Sequence, residues 1–392
     1  MDSPTASRRF LLWLALSFTL VCAAAAGLNY VVDPYGLFGT PRIQGFNAIK
    51  PAAAERVRVT KPYMASAARP ATVIAGNSRP ELGLDPQSPC WPDDHKPVFN
   101  TGIPGASFYM QTQYAKHALM AGGGKRVLLA VDFLDFLTNT AAPATPPNWP
   151  ALARSYAGRL HIPGENAPAW QRLHLQAQDQ FSALFSLTTL ADALGTVARQ
   201  RATFTANRRT DGFNPGRGYQ AIIRSEGQHV LFAQKNAELR ERLTNPKLGL
   251  FPAGQHSNQS FEALKGFLGW AKQHGIAVTV FINPYHADYH RIIADAGLGE
   301  TYAQWTRMVA KAATTGAVPF WDFNAQGFEL GETPPGPGAR GEHIRWFWEP
   351  AHYTAELGEV MLAKVLGQRT CSPDWKENSA LPLTPPTVTP SR

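Results

Sequence analysis

The longest hydrophobic stretch of the chain lies near its N-terminus. Residues 10–32 contain no charged residue, and Arg8 and Arg9 precede them. A run of this length is sufficient to span a bilayer, and basic residues before it predict a cytoplasmic N-terminus. A cleaved signal peptide is the alternative, because the small residues at 23–26 suit a signal peptidase. We expect a protein anchored in the inner membrane, with its main domain periplasmic or otherwise extracytoplasmic.

Beyond this segment, short apolar runs alternate with helix-like patterns. Runs with the character of buried strands occupy residues 71–75, 98–102, 127–131, 277–282 and 318–323. Helical patterns occupy residues 107–120, 260–274, 292–313 and 351–366. Strands alternating with helices predict right-handed crossovers and a parallel sheet covered on both faces. The predicted fold class is α/β, a three-layer doubly wound parallel sheet.

The alternation stops in the middle of the chain. Residues 141–256 begin with a Pro-rich stretch and continue with helical patterns near 180–199 and 230–243. We interpret them as a mostly helical insertion that caps or flanks a site. A tail rich in Pro, Thr and Ser is expected to be disordered. The predicted organisation is a cytoplasmic N-terminus (1–9), an anchor or signal segment (10–32), a surface linker (33–70), two domain halves (71–140 and 257–370) around the insertion, and the tail (371–392).

Composition adds a constraint on partners. Hydrophobic residues make up 44% of the 392 residues and charged residues 17%, which is typical of a folded domain. The net charge is +8. An exported protein rarely meets nucleic acid, so anionic lipid head groups or an acidic polysaccharide are the better partners. The charge alone nevertheless favours a solvated basic surface without a ligand.

The three cysteines define one candidate disulfide. Cys22 lies inside the apolar segment, which leaves Cys90 and Cys371 as the pair in the exported part. Export permits a disulfide between them, although two unpaired thiols satisfy the same sequence. His286 and His290 have the spacing of a shared metal site, but no third ligand is evident. We predict no metal and no cofactor.

The first candidate functional motif follows the first predicted strand. Gly76 allows a sharp turn, and Ser78 at the strand end can project its hydroxyl into a cleft. In doubly wound sheets, ligands gather at the carboxyl ends of the strands. The alternative is structural, because Ser78 and Glu81 have the spacing of a helix capping box.

The second candidate motif precedes the last predicted helix. Glu349 and His352 are three residues apart across the expected helix start, which can place the carboxylate beside the imidazole. A glutamate near a helix N-terminus also has a purely structural explanation. A nucleophile early in the chain and a base late in it can nevertheless meet across one parallel sheet.

These motifs resemble those of SGNH/GDSL-like hydrolases. The segments 76–79 (Gly-Asn-Ser-Arg), 100–105 and 349–353 (Glu-Pro-Ala-His-Tyr) are similar to the nucleophile, glycine and acid/histidine blocks of that family. The segments 33–36 (Asp-Pro-Tyr-Gly) and 321–324 resemble its membrane-anchored, DltD-like and exopolysaccharide-associated branch. The resemblance covers about residues 28–140 and 258–367 and leaves the insertion outside it.

The resemblance implies roles for individual residues. Ser78 would be the nucleophile, His352 the general base and Glu349 the acid that orients it, with Asp322 as a reserve acid. The family usually has an aspartate where Glu349 stands. The residues implied to contact substrate are Asn77, Arg79 and Asn100.

The resemblance also implies an oxyanion hole. Its donors would be the backbone N–H of Ser78 and that of Gly102 or Gly105. The Gly-x-Asn-Asp block that supplies a side-chain amide in the family is absent after the third strand, where residues 132–135 read Asp-Phe-Leu-Asp. Asn283 is a substitute, although Asn283-Pro284 is also a turn signal.

Two functions follow as expectations. The first is a serine acyl esterase or O-acyltransferase that acts on an acidic or acylated cell-envelope or exopolysaccharide glycan. The second is a noncatalytic membrane-anchored scaffold for envelope or polysaccharide assembly, which has envelope assembly proteins as its partners and keeps the fold without the chemistry.

Overall fold

The computed structural model describes residues 4–143, 154–165, 168–324, 330–368 and 371–372. The strands are β1 (Thr72–Ala75), β2 (Val98–Asn100), β3 (Arg126–Val131), β4 (Thr138–Asn139), β5 (Leu248–Gly249), β6 (Ala277–Ile282), β7 (Phe320–Asp322), β8 (Phe347–Glu349) and β9 (His352–Tyr353). The helices are α1 (Pro4–Val32), α2 (Pro51–Glu55), α3 (Val57–Ala68), α4 (Ser78–Gly83), α5 (Phe108–Gly122), α6 (Phe133–Phe136), α7 (Arg154–Ala157), α8 (Ala169–Phe185), α9 (Leu187–Ala198), α10 (Arg217–Ser225), α11 (Gln228–Leu243), α12 (Gln259–Gln273), α13 (Ala287–Asp295), α14 (Gly299–Thr315) and α15 (Ala355–Val365).

The centre of the fold is a five-stranded parallel sheet with the order β2-β1-β3-β6-β7. The order reverses between β1 and β3, which is the point where a doubly wound sheet opens a crevice at its carboxyl edge. Each of these strands matches a predicted apolar run. The predicted α/β class with a parallel sheet is confirmed.

Both faces of the sheet are covered. Alternate side chains of a strand point to opposite faces. Leu129 on β3 packs into a core with Phe108 of α5 and Trp305 of α14, whereas Leu128 packs into a second core with Met361 of α15. This alternation explains why the strands read as continuous apolar runs, and it gives three layers.

Two predicted helices differ from the structure. The pattern over residues 292–313 forms two helices, α13 and α14, because Gly297 adopts a left-handed conformation (φ +74°) that ends the first. The last helix begins at Ala355 and not at 351. The residues before it form a two-stranded antiparallel ribbon, in which Glu349 on β8 pairs with His352 on β9.

The segment 33–70, expected to be a surface linker, contains α2 and α3. Helix α3 packs against α5, and the side chains of Thr60 and Lys61 are buried. Lys50, which precedes α2, donates to the carbonyl of Val32 at 2.8 Å. This segment is therefore part of the folded domain and joins it to the end of α1.

The N-terminal segment is a single helix. Its residues Ser7–Val32 have a mean hydropathy of 2.1, so α1 is long and apolar enough to cross a membrane or to act as a signal anchor. The predicted anchor or signal helix is confirmed at that level. The tail beyond residue 372 lies outside the described residues.

Cys90 and Cys371 form a disulfide, with their Cα atoms 5.0 Å apart. The bond joins the connection between β1 and β2 to the segment after α15. Cys22 is a free thiol in α1.

Candidate active site

A sharp strand-to-helix turn presents Ser78. Gly76 follows β1, and a Cβ at this position would lie 2.5 Å from the ring of Pro80. The cap of α4 is Asn77, whose side chain accepts from the N–H of Arg79 at 3.0 Å. Ser78 is therefore the first residue of α4 and not its cap, which corrects the capping-box interpretation. Its half-buried hydroxyl remains available for other partners.

Ser78, His352 and Glu349 form a continuous series of contacts. The hydroxyl of Ser78 lies 2.7 Å from Nε2 of His352, and Nδ1 of His352 contacts Oε1 of Glu349. The carboxylate accepts Nδ1–H, so Nε2 is left to accept the serine proton. The other oxygen of Glu349 accepts from the N–H of Ala351 at 2.8 Å. The three predicted residues are brought together, on a ribbon turn instead of the predicted helix start.

The environment keeps the Glu349 carboxyl ionised. Burial alone raises its pKa, but the adjacent His352, together with the charge of Lys235 and the N–H of Ala351, outweighs burial and lowers the pKa below its usual value of 4.5. The hydroxyl of Tyr219 lies 3.1 Å from Nδ1 of His352. Burial, and then the charge of Glu349, raises the pKa of Tyr219, so this hydroxyl stays protonated.

Arg79 has a structural position in place of the predicted role in substrate binding. Its guanidinium is buried and forms an ion pair with Asp132. It also donates to the carbonyl of Ala351 at 2.7 Å and to the hydroxyl of Tyr289 at 2.6 Å. Because Ala351 precedes His352, Arg79 ties the helix of the nucleophile to the turn that carries the base.

The side chain of Asn100 forms a hydrogen bond with the backbone of Gly102. The side-chain oxygen of Asn100 accepts from the N–H of Gly102 at 2.9 Å, and its amide donates to the carbonyls of Pro80 and Leu84. Gly102 therefore has no N–H to offer an oxyanion, and the fully buried Asn100 does not contact substrate. Both predictions are corrected.

Asn283 is also excluded from the oxyanion hole. Its amide donates to the carbonyl of Val131 at 3.2 Å, and its oxygen accepts from the hydroxyl of Tyr353 at 3.2 Å. The side chain is fully buried at the end of β6. It joins the strand ends beneath the site.

Two backbone N–H groups remain available to bind an oxyanion. In the ranges the structure describes, no acceptor is found for the N–H groups of Ser78 and Gly105. Both residues border the same cleft. Gly105 adopts a left-handed conformation (φ +63°), which favours glycine there.

The reserve acid lies elsewhere. Asp322, at the end of β7, accepts from the N–H of Asn324 at 2.9 Å, and burial raises its pKa. Its titratable neighbour is His290, which contacts Asn324. His286 caps α13. Across the described part of the chain, no group of three potential metal ligands is found.

The cleft in front of Ser78 has a volume of about 670 Å³. One wall comes from the insertion, with Tyr219 on α10 and Lys235 and Arg242 on α11. The insertion thus flanks the site as expected. The individual residues were missed, although their polar spacing along α11 is visible in the sequence.

A half-buried carboxylate at the edge of the cleft was also missed. Asp135 accepts from the amide of Gln111 at 2.8 Å and from that of Asn77 at 3.2 Å. Burial raises its pKa. Asn77, implied to contact substrate, is therefore held by the residues that shape the turn.

Comparison with known proteins adds no family assignment. No protein-family model matches the chain, and no curated protein is similar to it in sequence. The interpretation of the site therefore rests on its own geometry: a hydroxyl, an imidazole and a carboxylate in series at the carboxyl edge of a parallel sheet.

Proposed function

We propose that the chain is a serine acyl-transfer enzyme of the SGNH type, an esterase or an O-acyltransferase. The observation that carries the proposal is the 2.7 Å contact between the hydroxyl of Ser78 and Nε2 of His352, with Glu349 on the opposite ring nitrogen. A base on one side of a serine and a carboxylate behind the base are the arrangement that activates a hydroxyl.

The mechanism divides into two transfers. The oxygen of Ser78 attacks the ester carbonyl while its proton passes to Nε2 of His352, and the N–H groups of Ser78 and Gly105 stabilise the oxyanion. His352 then returns the proton to the leaving alcohol, which gives an acyl-serine. Water or a sugar hydroxyl, deprotonated by His352, takes the acyl group and frees Ser78.

The substrate we propose is an acylated, acidic glycan of the cell envelope. Arg242, exposed at the edge of the cleft, supplies positive charge for carboxylate or phosphate groups, whereas the charge of Lys235 is paired with Glu238 at 2.7 Å. The cleft volume, about 670 Å³, suits an extended or branched ligand. Helix α1 and the Cys90–Cys371 disulfide support an inner-membrane anchor and an oxidising, periplasmic location.

The test is labelling of the full-length chain with a fluorophosphonate, which reacts only with an activated serine. We expect labelling of the wild type and its loss in Ser78→Ala and in His352→Ala. Ser107→Ala is the matched control, because Ser107 borders the same cleft but caps α5. Labelling that persists in Ser78→Ala would refute the assignment.

A noncatalytic scaffold is the second candidate. It is favoured by the loss of Gly102 and Asn283 from the oxyanion hole, since one missing donor costs about 10²–10³ in rate. A folded wild type that neither labels nor cleaves simple acyl esters would support the scaffold.

A further inference from the structure

Helices α8 and α9 expose large apolar side chains. The exposed fraction is 66% for Trp170, 65% for Phe181 and 82% for Leu187. The rings of Phe181 and Phe185 are 4.9 Å apart, so these side chains form a patch and not isolated positions. The full set is Trp170, Leu173, Phe181, Phe185, Leu187 and Leu194.

The patch has helical order. At about 100° per residue, the four members on α8 fall within about a third of the helix circumference, as do the two on α9. The side chains that these helices bury are small: Ala183, Thr189, Ala193 and Thr196. Water-soluble surfaces normally have the opposite order, with large apolar groups inside. The outward side of α8 and α9 is therefore built for an apolar environment.

The patch adjoins the end of the membrane helix. The amide of Asn29 on α1 donates to the carbonyl of Leu184 on α8 at 2.8 Å. Just beyond α1, the hydroxyl of Tyr35 donates to Asp192 on α9 at 2.6 Å. Asn29 follows Arg9 by 20 residues, which is about 30 Å of helix and about the thickness of the hydrocarbon core. The two helices thus join α1 at the level where it leaves the hydrocarbon.

We propose that the exposed face of α8 and α9 inserts into the interfacial layer of the bilayer that α1 spans. Aromatic side chains favour this layer, and amphipathic helices lie in it with their apolar face down. Arg199 and Arg201, exposed directly after α9, supply positive charge for anionic head groups. The inference is independent of the chemistry at Ser78.

The helices lie on the membrane and do not cross it. The chain bends by 65° between α8 and α9, and neither helix alone has the roughly 20 residues that a span requires. Asp179 on α8 forms an ion pair with Arg159 at 2.6 Å, on the side away from the patch. Docking of α8 and α9, together with α1, holds the domain in one orientation relative to the bilayer. Helices α10 and α11 follow α9 and form a wall of the cleft, so the cleft is held in that orientation as well.

The test measures the depth of single labels in the full-length chain. Cys22→Ala removes the free thiol, and Phe181→Cys or Leu187→Cys then receives an NBD fluorophore in nanodiscs of phosphatidylethanolamine and phosphatidylglycerol. Leu14→Cys, in the middle of α1, is the reference for the bilayer. Glu300→Cys, exposed on α14, is the matched control for water.

We expect the labels at positions 181 and 187 to emit at shorter wavelength than the label at 300. They should be quenched by doxyl groups on the lipids and protected from aqueous iodide. Iodide quenching equal to that at 300 would overturn the inference. Protection that occurs in native membranes but not in lipid-only nanodiscs would also overturn it, in favour of a membrane-protein partner.

Discussion

At the residue scale, the site depends on a cross-strand pair. Glu349 and His352 face each other across the β8–β9 ribbon, where opposite side chains are within contact distance. In the proposed site, this pairing lets a glutamate reach the imidazole where the family that the sequence resembles has an aspartate, since the ribbon sets the distance between them. The carboxylate also accepts the N–H of Ala351, which limits its rotation.

Glu349→Gln tests the role of the carboxylate. The amide keeps the shape but cannot stabilise a protonated His352 or hold its tautomer, so we expect the rate of fluorophosphonate labelling to fall by about 10²–10⁴. Tyr219→Phe removes the neighbouring hydroxyl and should lower the rate much less. An unchanged rate in Glu349→Gln would remove the acid from the proposed series.

Arg79→Met tests the buried guanidinium as a positioning residue. The substitution leaves Asp132 buried without its ion pair, so we expect the free energy of unfolding to fall by about 3–5 kcal/mol. Labelling of the folded fraction should slow as well, because the carbonyl of Ala351 loses its donor. Urea titration and labelling rates at low urea measure the two effects.

The matched control for Arg79→Met is Arg291→Met. The pair between Arg291 and Asp288 is on the surface, so its loss should change stability by less than about 1 kcal/mol. Normal labelling in a folded Arg79→Met protein would mean that the guanidinium supports only the fold.

At the element scale, the strands were predictable and the ribbon was not. Apolar runs identify buried strands because both faces of this sheet are covered. The ribbon pairs residues 347–353 through a bulge, and the Glu-Pro-Ala pattern within it is also that of a helix start. The bond that removes Asn283 from the oxyanion hole was equally hidden, because Val131 meets Asn283 only in the folded sheet. The bond that removes Gly102 is local, because an Asn side chain often bonds the backbone N–H two residues further on, as Asn100 does here.

Gly358→Ala tests the contact between α4 and α15. A Cβ at 358 would overlap the carbonyl oxygen of Gly83, so the helix that carries Ser78 would have to move. We expect a loss of at least about 1–3 kcal/mol in the free energy of unfolding. Gly266→Ala on α12 adds a methyl in open space and should be neutral or stabilising by up to about 1 kcal/mol. Equal stability of the two variants would contradict the close approach.

A buried carboxylate connects three elements below the site. Glu81 on α4 pairs with Lys61 on α3 at 2.8 Å and with Arg208 of the insertion at 2.8 Å. Burial alone raises its pKa, but the two cations outweigh burial and lower the pKa below 4.5. This contribution to stability is present above the unfolded-state pKa and is lost as the pH falls through the lower folded-state pKa.

Glu81→Gln should therefore have a pH-dependent cost. We expect a loss of about 3–5 kcal/mol at neutral pH, because two buried cations lose their partner. The difference from wild type should shrink below pH 4.5, as the wild-type carboxyl becomes protonated. Glu262→Gln, at an exposed pair, is the control and should cost less than about 1 kcal/mol. Urea titrations from neutral pH to below pH 4.5 measure this loss of unfolding free energy. A loss that does not depend on pH would contradict the ion-pair explanation.

At the scale of the whole molecule, the site joins distant parts of the chain. Ser78 and His352 are 274 residues apart and meet only when both halves of the sheet are assembled. The alternation of strands and helices predicts that Ser78 lies at the carboxyl edge of the sheet. His352 reaches that edge on the β8–β9 ribbon, which the pattern did not predict. The insertion has helical patterns but no alternation of strands and helices. That it flanks a site was expected, but the residues of its cleft wall on α10 and α11 and the apolar face of α8 and α9 became visible only in the fold.

The Cys90–Cys371 disulfide closes the fold on the side of α15. It constrains the unfolded chain over a separation of 281 residues. We expect Cys90→Ser and Cys371→Ser each to lower the free energy of unfolding by about 2–4 kcal/mol. The double variant should lose no more than one single variant, because both substitutions remove the same bond.

Thiol counting and urea titration check this prediction, and Cys22→Ser is the control for a cysteine outside the bond. The exported chain should have one free thiol after denaturation without reductant. The same chain retained in the cytoplasm should have three, since reducing compartments keep thiols unpaired. Additive losses in the double variant would mean that the two sites stabilise the fold by packing instead of a bond. Three free thiols in the exported chain would argue against both the disulfide and the oxidising location that it supports.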